Sequence, residues 1–234
     1  MKKEVGDGRL ERMSAREELI ERLVGAIDAV VVDHPVRVAI DGPDAAGKTT
    51  LANELAAVLR GEGRPVVRAS IDGFHRSRAD RYARGTNSPI GYFEDSFDND
   101  SLRRVLLDPL GPSGSRSYRT RVFDFKTDQL IDDVEREADR NAVLLFDGVF
   151  LLRDELRDEW DYSIFVDAPF DETLRRAVVR DAELMGDAES VERRYRERYI
   201  PGQELYFAAV GPSELADVVV HNADPGRPSV TFRS

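Results

Sequence analysis

Lys48-Thr49-Thr50 closes a nine-residue run, Gly42-Pro43-Asp44-Ala45-Ala46-Gly47-Lys48-Thr49-Thr50, with the spacing GxxxxGK[ST]. Each fixed position suits a polyphosphate. Gly42 and Gly47 let the backbone turn tightly, so that successive N–H groups through Asp44, Ala45 and Ala46 point inward at an anion. Lys48 adds a point charge for β- and γ-phosphates, Thr49 supplies a hydroxyl for Mg2+, and Thr50 completes the binding run. Two aspartates extend this chemistry. Asp147 ends the apolar run Val143-Leu144-Leu145-Phe146, and Asp72 ends Val66–Ile71. In open parallel sheets ligands collect beyond the carboxyl ends of strands. There Asp147 can reach Mg2+ directly or through water, and Asp72 can take the proton of an acceptor hydroxyl. Each aspartate also precedes a glycine and reads as a turn residue, and for Asp72 alone the two readings weigh equally.

Further basic and imidazole side chains are less specific. The segment 171–198 holds Arg175, Arg176, Arg180, Arg193, Arg194, Arg196 and Arg198, interleaved with Glu189, Glu192 and Glu197. This pattern reads as a solvated helix face from which one or two arginines close over phosphates. His34, before a proline, reads as a surface residue and His221 as a structural one. His75, three residues after Asp72, is placed to touch substrate. Scattered in this way, the histidines make no metal site.

These groups need elements to hold them. Val36–Ile40 reads as a strand before the phosphate loop, and Leu51, Leu55, Val58 and Leu59 give helical spacing after it. Bound phosphates then meet a helix N-terminus, where free N–H groups and the helix dipole favour negative charge. Ser14 with Glu17 forms a capping box ahead of Leu19, Ile20, Leu23, Val24 and Ile27. Further strands are expected at 65–71, 142–146, 162–166 and 216–220, with helices at 102–107 and 171–181; a charged segment, 181–198, leads to 199–210 ahead of the last strand. Residues 76–100 read as a functional loop. Alternation of strands and helices implies an α/β fold with a mainly parallel sheet covered on both faces. Residues 1–13 are expected to be a flexible N-terminus and 14–234 a single domain with a lid near 181–200.

Composition narrows the function classes. The chain has 234 residues, 41% hydrophobic, with no cysteine and a net charge of −11. Disulfides and thiolate metal sites are excluded. The acidic balance argues against nucleic acid as a partner. No apolar run approaches a membrane span or a signal peptide, so a cytoplasmic protein without a membrane partner is expected. Lysine occurs only at positions 2, 3, 48 and 126. Lys48 is thus a lysine kept where a compact ammonium is needed. Trp160 and its apolar neighbours suit either a core or an interface, which leaves a homo-oligomer open.

The phosphate loop, Asp72-Gly73-Phe74-His75-Arg76 and Tyr92-Phe93-Glu94-Asp95-Ser96-Phe97-Asp98 together resemble the uridine kinase family. So do Phe123-Asp124-Phe125, Phe146-Asp147-Gly148, Arg180-Asp181 and Ala216-Asp217-Val218-Val219-Val220, all in the expected order over residues 35–225. The resemblance implies a P-loop kinase fold, ATP as donor and Mg2+ as cofactor. It also implies Asp72 as catalytic base, Asp147 beside Mg2+, Arg180 on the transferred phosphate and Asn222 beside adenine. His75, Arg76, Tyr92, Phe123, Asp128 and Arg198 become the candidate acceptor contacts. The chain departs from the family at Phe123, where a tyrosine is common, and at Asp128, where a base-reading histidine is common. An aspartate accepts but does not donate unless protonated. The expected function is therefore phosphotransfer from ATP to a hydroxyl of a small molecule, a nucleoside first. A sugar phosphate or a pantothenate-like acid is the alternative acceptor. A non-catalytic nucleotide-binding regulator is the alternative of another class. A GTPase is disfavoured, because the guanine-reading Asn/Thr-Lys-x-Asp is absent.

Overall fold

Strands rich in Val, Ile, Leu and Phe dominate the middle of the chain, and their burial on both faces sets the architecture. The computed structural model describes residues 13–233. The expected flexible lead-in lies, apart from Met13, outside the described residues. Six strands form the main sheet: β1 (Val36–Asp41), β2 (Val66–Ser70), β3 (Val143–Asp147), β4 (Tyr162–Asp167), β5 (Val218–His221) and β6 (Ser229–Phe232). Their spatial order is β6-β5-β4-β1-β3-β2, parallel throughout except for β6 against β5. This is the α/β, mainly parallel arrangement that the alternation of elements implies.

Period-two alternation sends neighbouring side chains to opposite faces. Val38, Ile40, Leu145, Ile164, Val166 and Val218 join Leu51 and Leu55 of α2 (Lys48–Gly61) and Leu19, Leu23 and Ile27 of α1 (Ala15–Asp28). Ala39, Leu144, Phe146, Phe165 and Val219 face the other way, into a layer with Phe74, Leu102, Phe150 and Tyr206. Each Leu-sized side chain so buried contributes about 1.5–3 kcal/mol. Ser14 caps α1, and Ser14 and Glu17 each bond the other's backbone N–H, as the capping-box spacing predicts.

Register fixes the chemistry at one edge. Asp147 stands level with Ile40 on one side and Ser70 on the other. The phosphate loop, Asp147 and Asp72 thus leave three neighbouring strands at the same end.

Several elements differ from the sequence reading. Residues 76–100 contain helices α3 (Arg78–Arg81) and α4 (Pro89–Asp95), capped by Ser77 and Ser88, with Pro89 in the first turn. Both are too short to show a helical period. Helix α5 (Phe170–Met185) runs past the expected stop at Asp181 and is capped at Gly186, and α6 (Ala188–Arg194) follows. A π-helical turn, Tyr195–Tyr199, then leads into α7 (Ile200–Val210). His34 is not a surface residue. It is 9% exposed, with Nδ1 at 3.1 Å from the Pro35 carbonyl oxygen and 3.7 Å from Asp161. Trp160 packs on Phe146 at 5.4 Å and donates through Nε1 to the Leu151 carbonyl, which places it against the core. Among the described residues, no helix is long and apolar enough to cross a membrane.

Candidate active site

Asp41, the last residue of β1, is fully buried and anchors the loop that follows. It accepts from the Gly42 N–H at 2.7 Å and from the Tyr206 hydroxyl at 2.5 Å. Tyr206 in turn accepts from the Leu152 N–H at 3.0 Å, tying α7 to the loop after β3. Burial pushes the Asp41 carboxyl up, against these hydrogen bonds and Lys48. Gly42 has φ +143°, and a Cβ there would lie 2.3 Å from the Val166 carbonyl oxygen. Gly47, at φ +102°, would drive a Cβ to 2.7 Å from Asn222 Nδ2. The two glycines that define the sequence pattern are therefore required by backbone and by crowding.

Lys48 is buried, and its Nζ donates to the carbonyls of Gly42 at 2.9 Å and Pro43 at 2.7 Å. Burial lowers its proton affinity, while Asp44, Asp41 and Asp147 raise it. Thr49, in the first turn of α2, donates through Oγ1 to Asp147 Oδ2 at 2.6 Å. The other carboxylate oxygen accepts from Arg68 Nη2 at 2.7 Å, which orients Oδ2 toward Thr49. A hydroxyl and a carboxylate oxygen side by side form a hard oxygen donor set that fits Mg2+. Among the described residues no three acidic or histidine side chains cluster as a metal cage. An ion here would complete its shell with water and phosphate oxygens, as Mg2+ commonly does.

Asp72 sits in the 3-10 turn Ile71–Phe74 directly after β2. Its side chain is 64% exposed, yet it lies in a cleft dense with protein atoms. Desolvation there, joined by the charges of Asp44 and Asp147, pushes its pKa up to about 6, with Lys48 and Arg180 opposing. His75 Nε2 lies 3.7 Å from Asp72 Oδ1. The imidazole stacks on Phe97 at 4.7 Å and meets the edge of Phe125 at 5.0 Å. Burial and the neighbouring Arg81 push His75 down to about 4, so it is neutral near pH 7.

The cleft holding these groups has a volume of about 1490 Å³. Single-ligand pockets span roughly 300–1,000 Å³, so this cleft has room for a nucleotide and a second small molecule. Asp44, Ala45, Gly47, Thr50 and Asn222 line it together with Lys48, Thr49, Asp72, Asp147 and Arg180. Asn222 Nδ2 donates to the Ala46 carbonyl at 2.7 Å, and its Oδ1 is buried without a partner. An unpaired acceptor beside the phosphate loop suits an amino group of a bound base. Arg180 makes a two-pronged bond to Asp181, at 2.6 and 2.8 Å, and reaches the Tyr195 hydroxyl at 3.0 Å.

The candidate acceptor residues fall in different places. His75 and Tyr92 line the cleft. Tyr92 donates to Asp44 Oδ2 at 2.6 Å, so its hydroxyl serves the phosphate loop. Arg198 also borders the cleft, but it is 2% exposed and donates to the carbonyls of Arg81, Gly85, Thr86 and Ser88. Its guanidinium pins the loop 81–88 in place. Arg76, Phe123 and Asp128 are not on the cleft wall. Arg76 is spent on the Phe97 carbonyl, and Phe123 is buried in a hairpin with Leu130. Asp128 accepts from the Arg78 N–H at 2.7 Å and from Arg81. The hairpin turns Phe125 and Lys126 toward the cleft instead. Sequence reasoning also missed Arg68, Gln203 and Tyr206. Gln203 accepts from the Asp44 N–H at 2.7 Å. Arg68, between buried Val67 and Ala69, carried the alternation signal of a strand residue but no hint of its partner.

Residues 37–224 match the cytidylate kinase-like family. A uridine kinase of Chlamydia pneumoniae is 28% identical over 186 residues, covering 79% of this chain and 80% of that protein. The chloroplastic uridine/cytidine kinase UKL1 of Arabidopsis thaliana is 27% identical over 196 residues, 82% of this chain and 39% of that protein. Among solved structures, one described as a "possible uridine kinase" from Bacillus stearothermophilus superposes with a TM-score of 0.66. It is 25% identical, over 86% of this chain and 97% of that one.

Proposed function

The chain belongs to the cytidylate kinase-like family and is a P-loop kinase of the uridine kinase group, and we propose that it transfers the γ-phosphoryl group of ATP to a hydroxyl of a small molecule, with Mg2+. Family membership implies ATP as donor. One arrangement carries the reading: the bonded Thr49–Asp147 pair, the buried Lys48 and the carboxylate of Asp72 share one cleft at the ends of β1, β2 and β3.

In this reading Lys48 and the N-terminus of α2 bind the β- and γ-phosphates, and Asn222 lies by the base. Thr49 and Asp147 hold Mg2+, which neutralises phosphate charge when bound. Asp72 accepts the proton of the acceptor hydroxyl. That oxygen bonds to the γ-phosphorus while the bond from phosphorus to the β–γ bridging oxygen breaks. ADP leaves with the electron pair, and the proton on Asp72 passes to solvent. Lys48 and Arg180 balance charge on the transferring group. Segment 181–200 acts as the lid of a single domain, excluding water as a competing acceptor.

The names of the relatives make a nucleoside the first acceptor to try. A sugar phosphate or a pantothenate-like acid is the second reading, favoured by the arginines around Tyr82. A purely regulatory nucleotide-binding protein has no use for a free carboxylate at position 72. The test is ADP release from ATP and Mg2+ against nucleosides, sugar phosphates and hydroxy acids. Acceptor-dependent release that disappears in Lys48→Ala supports the reading. Release at the same rate without any acceptor marks an ATPase and overturns it.

A further inference from the structure

One wall of the cleft, built from residues of 78–87 and 190–199, inverts the charge of the molecule around it. The chain carries 45 acidic and 34 basic residues, so a basic side chain ordinarily finds an acid. Arg37 has Glu159 and Asp161, and Arg84 has Glu94 and Asp95. On this wall three guanidiniums instead gather on one ring. Arg81, Arg194 and Arg198 lie 5.7, 5.2 and 4.9 Å from the Tyr82 centroid.

Their partners are mostly uncharged. Arg198 is spent on main-chain carbonyls. Arg194 donates to the hydroxyls of Tyr82 at 2.6 Å and Tyr199 at 3.4 Å. Arg81 touches one carboxylate, Asp128, at 3.4 Å, and its Nε is buried with no acceptor. Arg78 adds an exposed charge to the same wall. Among the described residues, no carboxylate pairs with Arg78, Arg194 or Arg198. The acid on this wall, Glu197, is engaged by Asn87 at 2.5 Å.

Arg81 and Arg198 are buried close to Arg194, and like charges so placed repel one another; against burial, Tyr199 and Tyr82 hold Arg194 above the ordinary guanidinium range. Burial, with Arg194 alongside, holds Arg198 below the ordinary guanidinium range. The buried Nε of Arg81, with no acceptor, and the guanidinium of Arg194, which no carboxylate among the described residues pairs, are the two halves of an anion site. The wall also stands next to the reacting groups. Arg81 acts electrostatically on His75, which lies 3.7 Å from Asp72.

We infer that Arg81 and Arg194 bind an anionic group of the acceptor, a carboxylate or a phosphate ester, so that the compound phosphorylated is a hydroxy acid or a sugar phosphate rather than an uncharged nucleoside. The inference rests on the phosphotransfer reading and names its substrate class. The acceptor's anion anchors on the two guanidiniums while its hydroxyl faces Asp72. The hydroxyl proton goes to Asp72, the oxygen takes the γ-phosphoryl group, and ADP leaves. Arg198 is a positioning residue, fixing the loop that presents Arg81 and Tyr82.

The test uses the full chain with ATP and Mg2+ and three acceptor sets: glycerate and pantothenate, fructose 6-phosphate and ribulose 5-phosphate, uridine and cytidine. One anionic set is expected to exceed the nucleosides in kcat/KM by at least about a hundredfold, and which set does so identifies the anion. Arg194→Gln should raise KM for that acceptor about 10- to 100-fold, the loss of a charge-assisted bond, with kcat changed less than about threefold. Arg194→Lys should recover part of the loss, because the charge returns without the fork. Affinity for a fluorescent ATP analogue reports whether each variant folds, and Arg81→Gln, at the other proposed guanidinium, gives a second reading of KM. Preference for uridine or cytidine, or a KM unmoved in both glutamine variants, overturns the anionic acceptor and leaves the kinase reading standing. Transfer to none of the six compounds, with ATP turned over to inorganic phosphate, removes the kinase reading itself.

Discussion

Replacing Asp72 by asparagine removes the proposed base while keeping shape and hydrogen-bonding capacity in the cleft. The structure sets the size and the pH dependence of the effect. With a pKa of about 6, the carboxylate is about 90% ionised at pH 7 and about 10% ionised at pH 5. In the native enzyme, kcat/KM for the acceptor should therefore fall roughly tenfold between pH 7 and pH 5, approaching a slope of one log unit per pH unit. Asp72→Asn should lower kcat by about 10²- to 10⁴-fold and abolish that limb of the profile. Affinity for ATP should hold or improve, because a negative charge near the phosphates is gone. Stability follows with a worked sign. The folded pKa lies above the ordinary 3.8, so the protonated form favours the fold. That contribution is complete below pH about 4 and lost as pH rises through about 6. The Tm difference between Asp72→Asn and the native chain should thus grow in the variant's favour from pH 4 to pH 7. Steady-state kinetics from pH 5 to 9, beside thermal melts over pH 4 to 7, read both effects. Full turnover in the variant, or an acid limb that survives the substitution, would refute Asp72 as the base.

Other substitutions probe the frame of the site. Gly42→Ala forces a left-handed residue and a Cβ 2.3 Å from the Val166 carbonyl oxygen, and should destabilise by about 2–3 kcal/mol, read by urea unfolding. Tyr206→Phe strips a buried hydrogen bond from Asp41 and another from the Leu152 N–H. It should cost about 2 kcal/mol, a Tm roughly 4–8 °C lower, visible by calorimetry. Lys48→Ala should weaken binding of a triphosphate analogue by about tenfold or more and reduce kcat with it, measured by fluorescence titration and turnover.

The grouping of the phosphate loop, Asp72 and Asp147 at one sheet edge was legible because it is written locally. The loop 42–50 has fixed spacing, and Asp72 and Asp147 each end an apolar run, so parallel register alone brings them level. Contacts between distant segments carried no such mark. Tyr206 reaches Asp41 and Gln203 reaches Asp44 from a helix some 160 residues away in sequence. Arg68 looked like any outward residue of a strand until pairing with β3 put it beside Asp147. Helix α4 was hidden by its length, although Ser88 and Pro89 form a start signal. β6 was hidden by its exposure: an antiparallel edge strand with alternating half-buried residues lacks the apolar run that marked the others. Arg198 reads from the sequence as a candidate acceptor contact, and its burial and carbonyl partners assign it to the loop 81–88 instead.

Phosphoryl transfer to a hydroxyl is tested most directly by following the γ-phosphate itself. ATP labelled in that group, incubated with Mg2+, the full chain and the acceptor panel, is resolved by 31P NMR or mass spectrometry. The label is expected in a phosphate ester of one acceptor, in equal amount to the ADP formed, and in neither Lys48→Ala nor Asp72→Asn at comparable rate. Label appearing only in inorganic phosphate, whichever acceptor is present, would contradict the account.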